Sequence, residues 1–221
     1  MKFWPKAVLF DLDGTLADTA PDLCYAVNSM RKALGLEAVP LEKTRPVTSS
    51  GARGLLGAGF GITPDHPDYD AMRTEFLDIY ERNVCRETRV FPGMSKLLTE
   101  LEKRSILWGV VTNKAERFTH PLLKGLGLER RAACIVGGDT TPHSKPHPAP
   151  ILKAAEICNI NPSECLYVGD DLRDIEAGRA AGMKTVAAAY GYCGCDEPVN
   201  AWGADYIIHH PSELRSIVFG S

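Results

Sequence analysis

No stretch of the 221-residue chain approaches the roughly 18 consecutive apolar residues of a membrane span. The opening run, Met1-Lys2-Phe3-Trp4-Pro5-Lys6, passes almost directly into an apolar strand and has no apolar leader region, which points to a cytoplasmic protein. Charge of one sign is missing as well. The 25 Lys+Arg and 28 Asp+Glu leave a net charge of −3, so there is no electrostatic footprint for nucleic acid or for an anionic membrane. Cysteine pairs spaced for zinc or redox chemistry are also lacking. The seven cysteines are odd in number, and Cys134, Cys158 and Cys165 lie in apolar segments as small core residues. Cys193-Gly194-Cys195 lacks the two-residue gap of such pairs and reads as two thiols in a loop. There is no internal repeat and no low-complexity tract. What remains is an ordinary globular composition, 44% hydrophobic and 24% charged, long enough for one good core or for a domain with a smaller insert.

Short apolar runs recur at Ala7 to Phe10, Leu107 to Val111, Ala133 to Val136, Cys165 to Val168, Thr185 to Ala189 and Tyr206 to Ile208. Their nearly continuous apolar character predicts strands buried on both faces. Helical spacing lies between them, at Met94 to Arg104, Phe118 to Leu126, Ala149 to Cys158 and Asp174 to Ala181, with Gly182 as a C-terminal stop. The alternation predicts an α/β fold, a doubly wound (Rossmann-like) parallel sheet. About 90 residues separate the first two strands, too many for one crossover helix. That interval holds helical patterns at Asp22 to Leu34 and Met72 to Val84, with Gly51-Ala52-Arg53-Gly54-Leu55-Leu56-Gly57 between them as a loop leading into another short helix. Residues 17–86 are therefore expected to form an inserted helical cap domain, and 1–16 plus 87–221 the α/β core.

The charged residues fall on the predicted strand tips. Asp11 and Asp13 end the first strand at i, i+2 spacing, which points both side chains the same way. Two like charges so placed call for a cation or a shared proton. Thr112-Asn113-Lys114 ends the second strand, Ser144-Lys145-Pro146 follows the third, and Gly169-Asp170-Asp171-Leu172-Arg173-Asp174 ends the fourth. Ligands bind beyond the carboxyl ends of strands in such sheets. Five carboxylates, a hydroxyl and a lysine on one edge suit phosphoryl transfer, which rests on positioning and on neutralising phosphoryl oxygens. Asp11, Asp13 and Asp170 could supply oxygens to Mg²⁺, and a carboxylate nucleophile would divide hydrolysis into two easier steps. Lys145 would act as a point charge between nucleophile and phosphate. Thr112 and the backbone N–H groups near Leu12 and Asn113 would bind the transferring oxygens.

Asp11-Leu12-Asp13-Gly14-Thr15, Thr112-Asn113, Lys145-Pro146 and Gly169 through Asp174 resemble, in order, the four motifs of the haloacid dehalogenase superfamily, over essentially the whole chain. That resemblance implies that Asp11 is the nucleophile and that Asp13 is the general acid and base, with its backbone carbonyl also reaching Mg²⁺. It implies further that Thr112 binds phosphate, that Lys145 bridges and that Asp170 is a direct metal ligand. Asp174 looks like the outer acid of the last motif, and Asp171, where many relatives carry serine, would hold a metal-bound water. The dehalogenases of the superfamily lack an acid at the position of Asp13. An alkoxide leaving group needs a proton and halide does not, so Asp13 points to phosphate esters.

The chain further resembles bacterial phosphoglycolate phosphatases through Asp18-Thr19-Ala20-Pro21-Asp22-Leu23. It resembles N-acetylmuramic acid 6-phosphate phosphatases more closely, through Ser50-Gly51-Ala52-Arg53, Tyr190-Gly191-Tyr192 and Trp202-Gly203-Ala204-Asp205. Both substrates are small phosphate monoesters bearing a carboxylate, which Arg53 could pair with, while Ser50, Gly51 and Lys114 are further expected substrate contacts. A sugar-phosphate mutase is the nearest enzymatic rival; a signalling receiver or a non-catalytic binding protein stands further off. The expected assembly is a monomer or homodimer.

Overall fold

A computed structural model describes residues 4–194 and 197–220; Cys195 of the Cys193-Gly194-Cys195 run lies outside them. The main sheet is built from β1 (Ala7–Phe10), β4 (Leu107–Val111), β5 (Cys134–Val136), β6 (Cys165–Gly169), β7 (Lys184–Ala188) and β8 (Tyr206–Ile208). Its order is β5-β4-β1-β6-β7-β8, with every pairing parallel. All four residues of β1 are fully buried, as a central strand covered on both faces requires. Period-two alternation sends Val8 and Phe10 into one hydrophobic core and Ala7 and Leu9 into the other.

The first core is roofed by α5 (Met94–Lys103), α6 (Glu116–Gly125) and α9 (Leu214–Phe219). α5 supplies Met94, Leu97, Leu98 and Leu101, spaced i, i+3, i+4, i+7 and no more than 1% exposed. Each such side chain contributes roughly 1.5–3 kcal/mol of burial. The second core is covered by α7 (Ala149–Cys158) and α8 (Leu172–Ala180). α8 begins two residues before its predicted start because Asp171 caps it. The Asp171 side chain accepts the Arg173 N–H, and Asp174 reaches back to the Asp171 N–H. Gly182, at φ 77°, follows its end as expected. The fold is the doubly wound parallel α/β architecture, and the chain reverses direction across β1, with β4 on one side and β6 on the other.

Between β1 and β4 lie α1 (Ala20–Ala33), α2 (Leu41–Thr44), a 3₁₀ segment (Arg45–Ser50), α3 (Gly51–Phe60) and α4 (Tyr69–Arg82). These helices have a core of their own, where Leu23, Val27 and Met30 of α1 meet Leu55 and Leu56 of α3 and Phe76 and Tyr80 of α4. Phe118 of α6 joins that core, its ring 5.5 Å from Tyr80. Gly51 through Gly57, expected as a loop, lie within α3, with Gly51-Ala52-Arg53 in its first turn. A two-strand antiparallel ribbon, β2 (Ala17–Asp18) with β3 (Arg89–Val90), stands where the chain leaves and re-enters the sheet layer. Strands of two residues carry no readable periodicity, so this ribbon was not expected. Asp22 pins the returning chain. Its buried carboxylate accepts N–H bonds from Cys85, Glu87 and Thr88 at 3.1, 2.8 and 3.0 Å, and the Thr88 hydroxyl at 2.7 Å. No described helix is long and apolar enough to cross a membrane.

Candidate active site

The carboxyl ends of β1, β4 and β6 meet at one point, and Lys145 is its centre. The Nζ, with three N–H groups to give, lies within hydrogen-bond distance of Asp11 Oδ1 at 2.7 Å, Asp174 Oδ1 at 2.7 Å, the Val111 carbonyl at 3.0 Å and the Tyr167 hydroxyl at 3.0 Å. Burial works against the ammonium, but Asp11 and Asp174 hold its pKa well above the ordinary lysine range. The loop that carries it is fastened by Asn113, whose side chain accepts the Lys145 N–H at 2.9 Å and donates to the Lys145 carbonyl at 3.0 Å. The Lys145-Pro146 bond is cis.

Asp11, Asp170 and Asp174 are all buried and each places a carboxylate oxygen within 4.8 Å of the others. Burial pushes Asp11 up to about 7; Lys145 lowers it, while Asp174 and Asp13 raise it further. Asp170 is likewise pushed well up by burial and by Asp11 and Asp174, against the Thr15 hydroxyl at 2.7 Å and the Tyr192 N–H at 2.8 Å that hold its two oxygens. Three carboxylates face one ammonium, so with all three ionised the cluster would carry excess negative charge, which adds to burial in pushing Asp11 and Asp170 up. That donor set fits a hard divalent cation, which takes carboxylate oxygens and would relieve the repulsion. The backbone makes room for the Asp170 side chain. A Cβ at Gly14, at φ 86°, or at Gly191 would run into the Asp170 side chain.

The other two predicted acids have cations of their own. Asp13 Oδ1 lies 3.1 Å from Lys114 Nζ and accepts the Thr19 hydroxyl, so its side chain stands apart from the three-carboxylate cluster. Asp171 is bound by Arg173 through Nε and Nη2 at 2.7 and 2.8 Å, which keeps its carboxyl low despite burial. The same Arg173 Nη2 donates to the Ser49 carbonyl of the inserted helices at 2.8 Å. Asp174 spends one oxygen on Lys145 and the other on the Asp171 N–H.

A cavity of about 550 Å³ opens above these groups. Asp11, Asp13, Thr112, Asn113, Lys114 and Lys145 line its floor, while Ser50, Gly51 and Arg53 line its wall. Thr112 is 2% exposed, and its hydroxyl accepts the Lys114 N–H at 3.1 Å. Among the described residues, the N–H groups of Leu12 and Asn113 donate to no protein acceptor. Asp170 is fully buried and does not line the cavity.

Several wall residues escaped the sequence reading. Arg73 of α4 is an exposed guanidinium with no motif to announce it. Tyr69, Phe76, Leu77 and Phe118 give the wall an apolar face. Lys114 Nζ sits 4.7 Å from the Tyr80 ring centroid, as well as against Asp13.

An acid-lined sheet edge with a central lysine is matched by comparison. The family described as "Haloacid dehalogenase-like hydrolase" matches residues 8–188, and the chain belongs to it. The chain is 45% identical over 213 residues to an N-acetylmuramic acid 6-phosphate phosphatase of Pseudomonas putida, covering 96% of each chain. It is 44% identical over 215 residues to a phosphoglycolate phosphatase of Xanthomonas campestris pv. campestris, covering 97% of this chain and 96% of the relative. Its fold superposes on the crystal structure of a predicted phosphoglycolate phosphatase from Haemophilus somnus with a TM-score of 0.84, at 28% identity and 98% coverage of both chains. By family and full-length likeness it is a phosphoric monoester hydrolase.

Proposed function

We propose that this hydrolase cleaves a carboxylate-bearing phosphate monoester through an aspartyl-phosphate on Asp11, with Mg²⁺ as cofactor, in the cytoplasm. The observation that carries the reading is the Lys145 ammonium, 2.7 Å from both Asp11 and Asp174, beside the buried Asp170. Lys145 holds Asp11 Oδ1, leaving the second oxygen to attack phosphorus. Asp13 gives a proton to the departing ester oxygen as the P–O bond breaks. It then takes one from the water that attacks the acyl phosphate, which frees phosphate and restores Asp11. Thr112 and the N–H groups of Leu12 and Asn113 hold the transferring oxygens. Asp174 orients Lys145, and Asp171 braces Arg173. Mg²⁺, when bound, would be held by Asp11, Asp170 and the Asp13 carbonyl and would neutralise phosphoryl charge. Residues 17–86 act as a cap that excludes water and reads the leaving group, and the rest of the chain is the catalytic core. The free thiols of Cys24, Cys85, Cys134, Cys158 and Cys165 support a reducing compartment.

N-acetylmuramic acid 6-phosphate is the substrate that the cavity favours. A volume near 550 Å³ with an apolar wall and two cap guanidiniums, Arg53 and Arg73, suits an amino sugar bearing a carboxylate better than a two-carbon acid. The second reading, 2-phosphoglycolate, is favoured by the 44% identical Xanthomonas relative. Phosphate release from the two compounds, measured side by side with Mg²⁺ and with EDTA, tests both. Mg²⁺-dependent release from the amino-sugar phosphate is expected, and hydrolysis of neither compound defeats the substrate assignment.

A further inference from the structure

Tyr192 lies in the loop after β7 and is 7% exposed. Its main-chain N–H donates to Asp170 Oδ2 at 2.8 Å. Its hydroxyl reaches the opposite way, to the point where the chain leaves the sheet for the cap. There it accepts the N–H groups of Thr19 and Ala20 at 2.8 and 2.9 Å and donates to Asp18 Oδ1 at 2.9 Å. That is the full capacity of a phenol, one donor and two acceptor positions. Burial keeps the phenol protonated, so it remains a donor to Asp18. Asp18 in turn holds Arg45 of the cap with two bonds of 2.9 Å, and the Arg45 guanidinium lies 5.8 Å from the Tyr192 ring centroid. Thr19, whose amide Tyr192 fixes, donates its own hydroxyl to Asp13. One side chain thus connects the acidic cluster, the first turn of the cap's entry helix, the Asp18–Arg45 pair and, through Thr19, the proton-transferring carboxylate.

We propose that Tyr192 is a positioning residue of the reaction: its hydroxyl sets the Asp18-Thr19-Ala20 hinge, and so fixes the seat of the cap over the cavity. The inference rests on the phosphatase reading for its kinetic consequence but not for its structural one. Neither the four motif segments nor the substrate-facing wall includes Tyr192, and a role confined to packing would be met by phenylalanine.

The test is Tyr192→Phe, which keeps the ring and the N–H to Asp170 and removes three hydrogen bonds. Amide hydrogen exchange at Thr19 and Ala20 should accelerate by about tenfold or more as their acceptor disappears, with the central strands unchanged. Turnover of a cap-filling carboxylate-bearing ester should fall about tenfold. That of p-nitrophenyl phosphate, which has a good leaving group and does not fill the cap, should fall less than about threefold. Arg45→Gln should produce the same selective loss and should not add to Tyr192→Phe. If Tyr192→Phe fails to fold, Arg45→Gln carries the test by the selective loss between the two esters, since it leaves the Tyr192 hydroxyl and the Thr19 and Ala20 acceptor in place. Unchanged exchange at Thr19 and Ala20, or equal loss on both esters, overturns the proposal. If the wild-type protein hydrolyses neither ester, the phosphatase reading falls, and the exchange rates alone decide whether Tyr192 sets the hinge.

Discussion

Replacing Asp11 by Asn should make the pH dependence of stability visibly flatter. Burial holds the Asp11 carboxyl at about 7 in the folded protein, with Lys145 pulling it down and Asp174 and Asp13 pushing it up. The unfolded value is about 3.9. Between those values the folded state binds more protons than the unfolded state, so stability rises as pH falls. The penalty is absent below about pH 4, grows through the window and levels off above about pH 7, where it reaches about 4 kcal/mol. The same arithmetic gives about 2–3 kcal/mol recovered between pH 8 and pH 5. Asparagine has no charge to protonate and abolishes that part of the slope. It also removes a repulsion that raises Asp170, which acts in the same direction. Urea unfolding of both proteins at pH 5 and pH 8 in EDTA measures the effect, because any pH-independent cost of the substitution cancels in the difference. The stability gap between variant and wild type should change by about 2–3 kcal/mol across that range. A gap identical at both pH values would refute the claim that Asp11 is buried against unneutralised charge. Added Mg²⁺ should stabilise the wild type at pH 8 by about 2.7 kcal/mol at a hundredfold excess over its dissociation constant, and the variant by less.

Lys145→Met leaves Asp11 and Asp174 without their shared cation. It should cost about 3–5 kcal/mol in denaturant unfolding at pH 8 and abolish phosphate release. Arg53→Ala should raise the Michaelis constant for carboxylate-bearing esters about tenfold while sparing an aryl phosphate; equal loss on both would mean that Arg53 supports the cap. The Asp205 carboxyl is held low, against burial, by Lys184 and by the Thr185 N–H and hydroxyl. Its contribution is present above about pH 4 and lost as pH falls through its lower folded value. Asp205→Asn should therefore destabilise the protein more at pH 7 than in acid, the difference shrinking as pH falls below about 4, as read by thermal unfolding.

Much of the molecule was legible because its signals are local. The buried strands of the sheet announce themselves as apolar runs, and β1, β4 and β8 fall on the runs Ala7 to Phe10, Leu107 to Val111 and Tyr206 to Ile208. The amphipathic stripe of α5 shows the same way, through Leu97, Leu98 and Leu101. The short ribbon of β2 and β3 did not, since its pairing joins residues some seventy positions apart and two residues define no period. The start of α8 was misplaced because a capping box, rather than hydrophobic spacing, sets it.

Chain order alone determined that acids, a threonine and a lysine lie at the carboxyl ends of successive parallel strands, because strand and helix periodicity need only near neighbours. Tertiary structure alone decided which of those groups are partners. Lys145 meets Asp11 across 134 positions and Asp174 across 29, while Asp13 turns instead to Lys114 and Asp171 to Arg173. It also brought Arg73 to the cavity wall and the Tyr192 hydroxyl to the Thr19 N–H, 173 positions away. The physical reason is that charge, burial and hydrogen bonding act through space over a few ångströms, and the distances that select one partner over another exist only once the layers have packed.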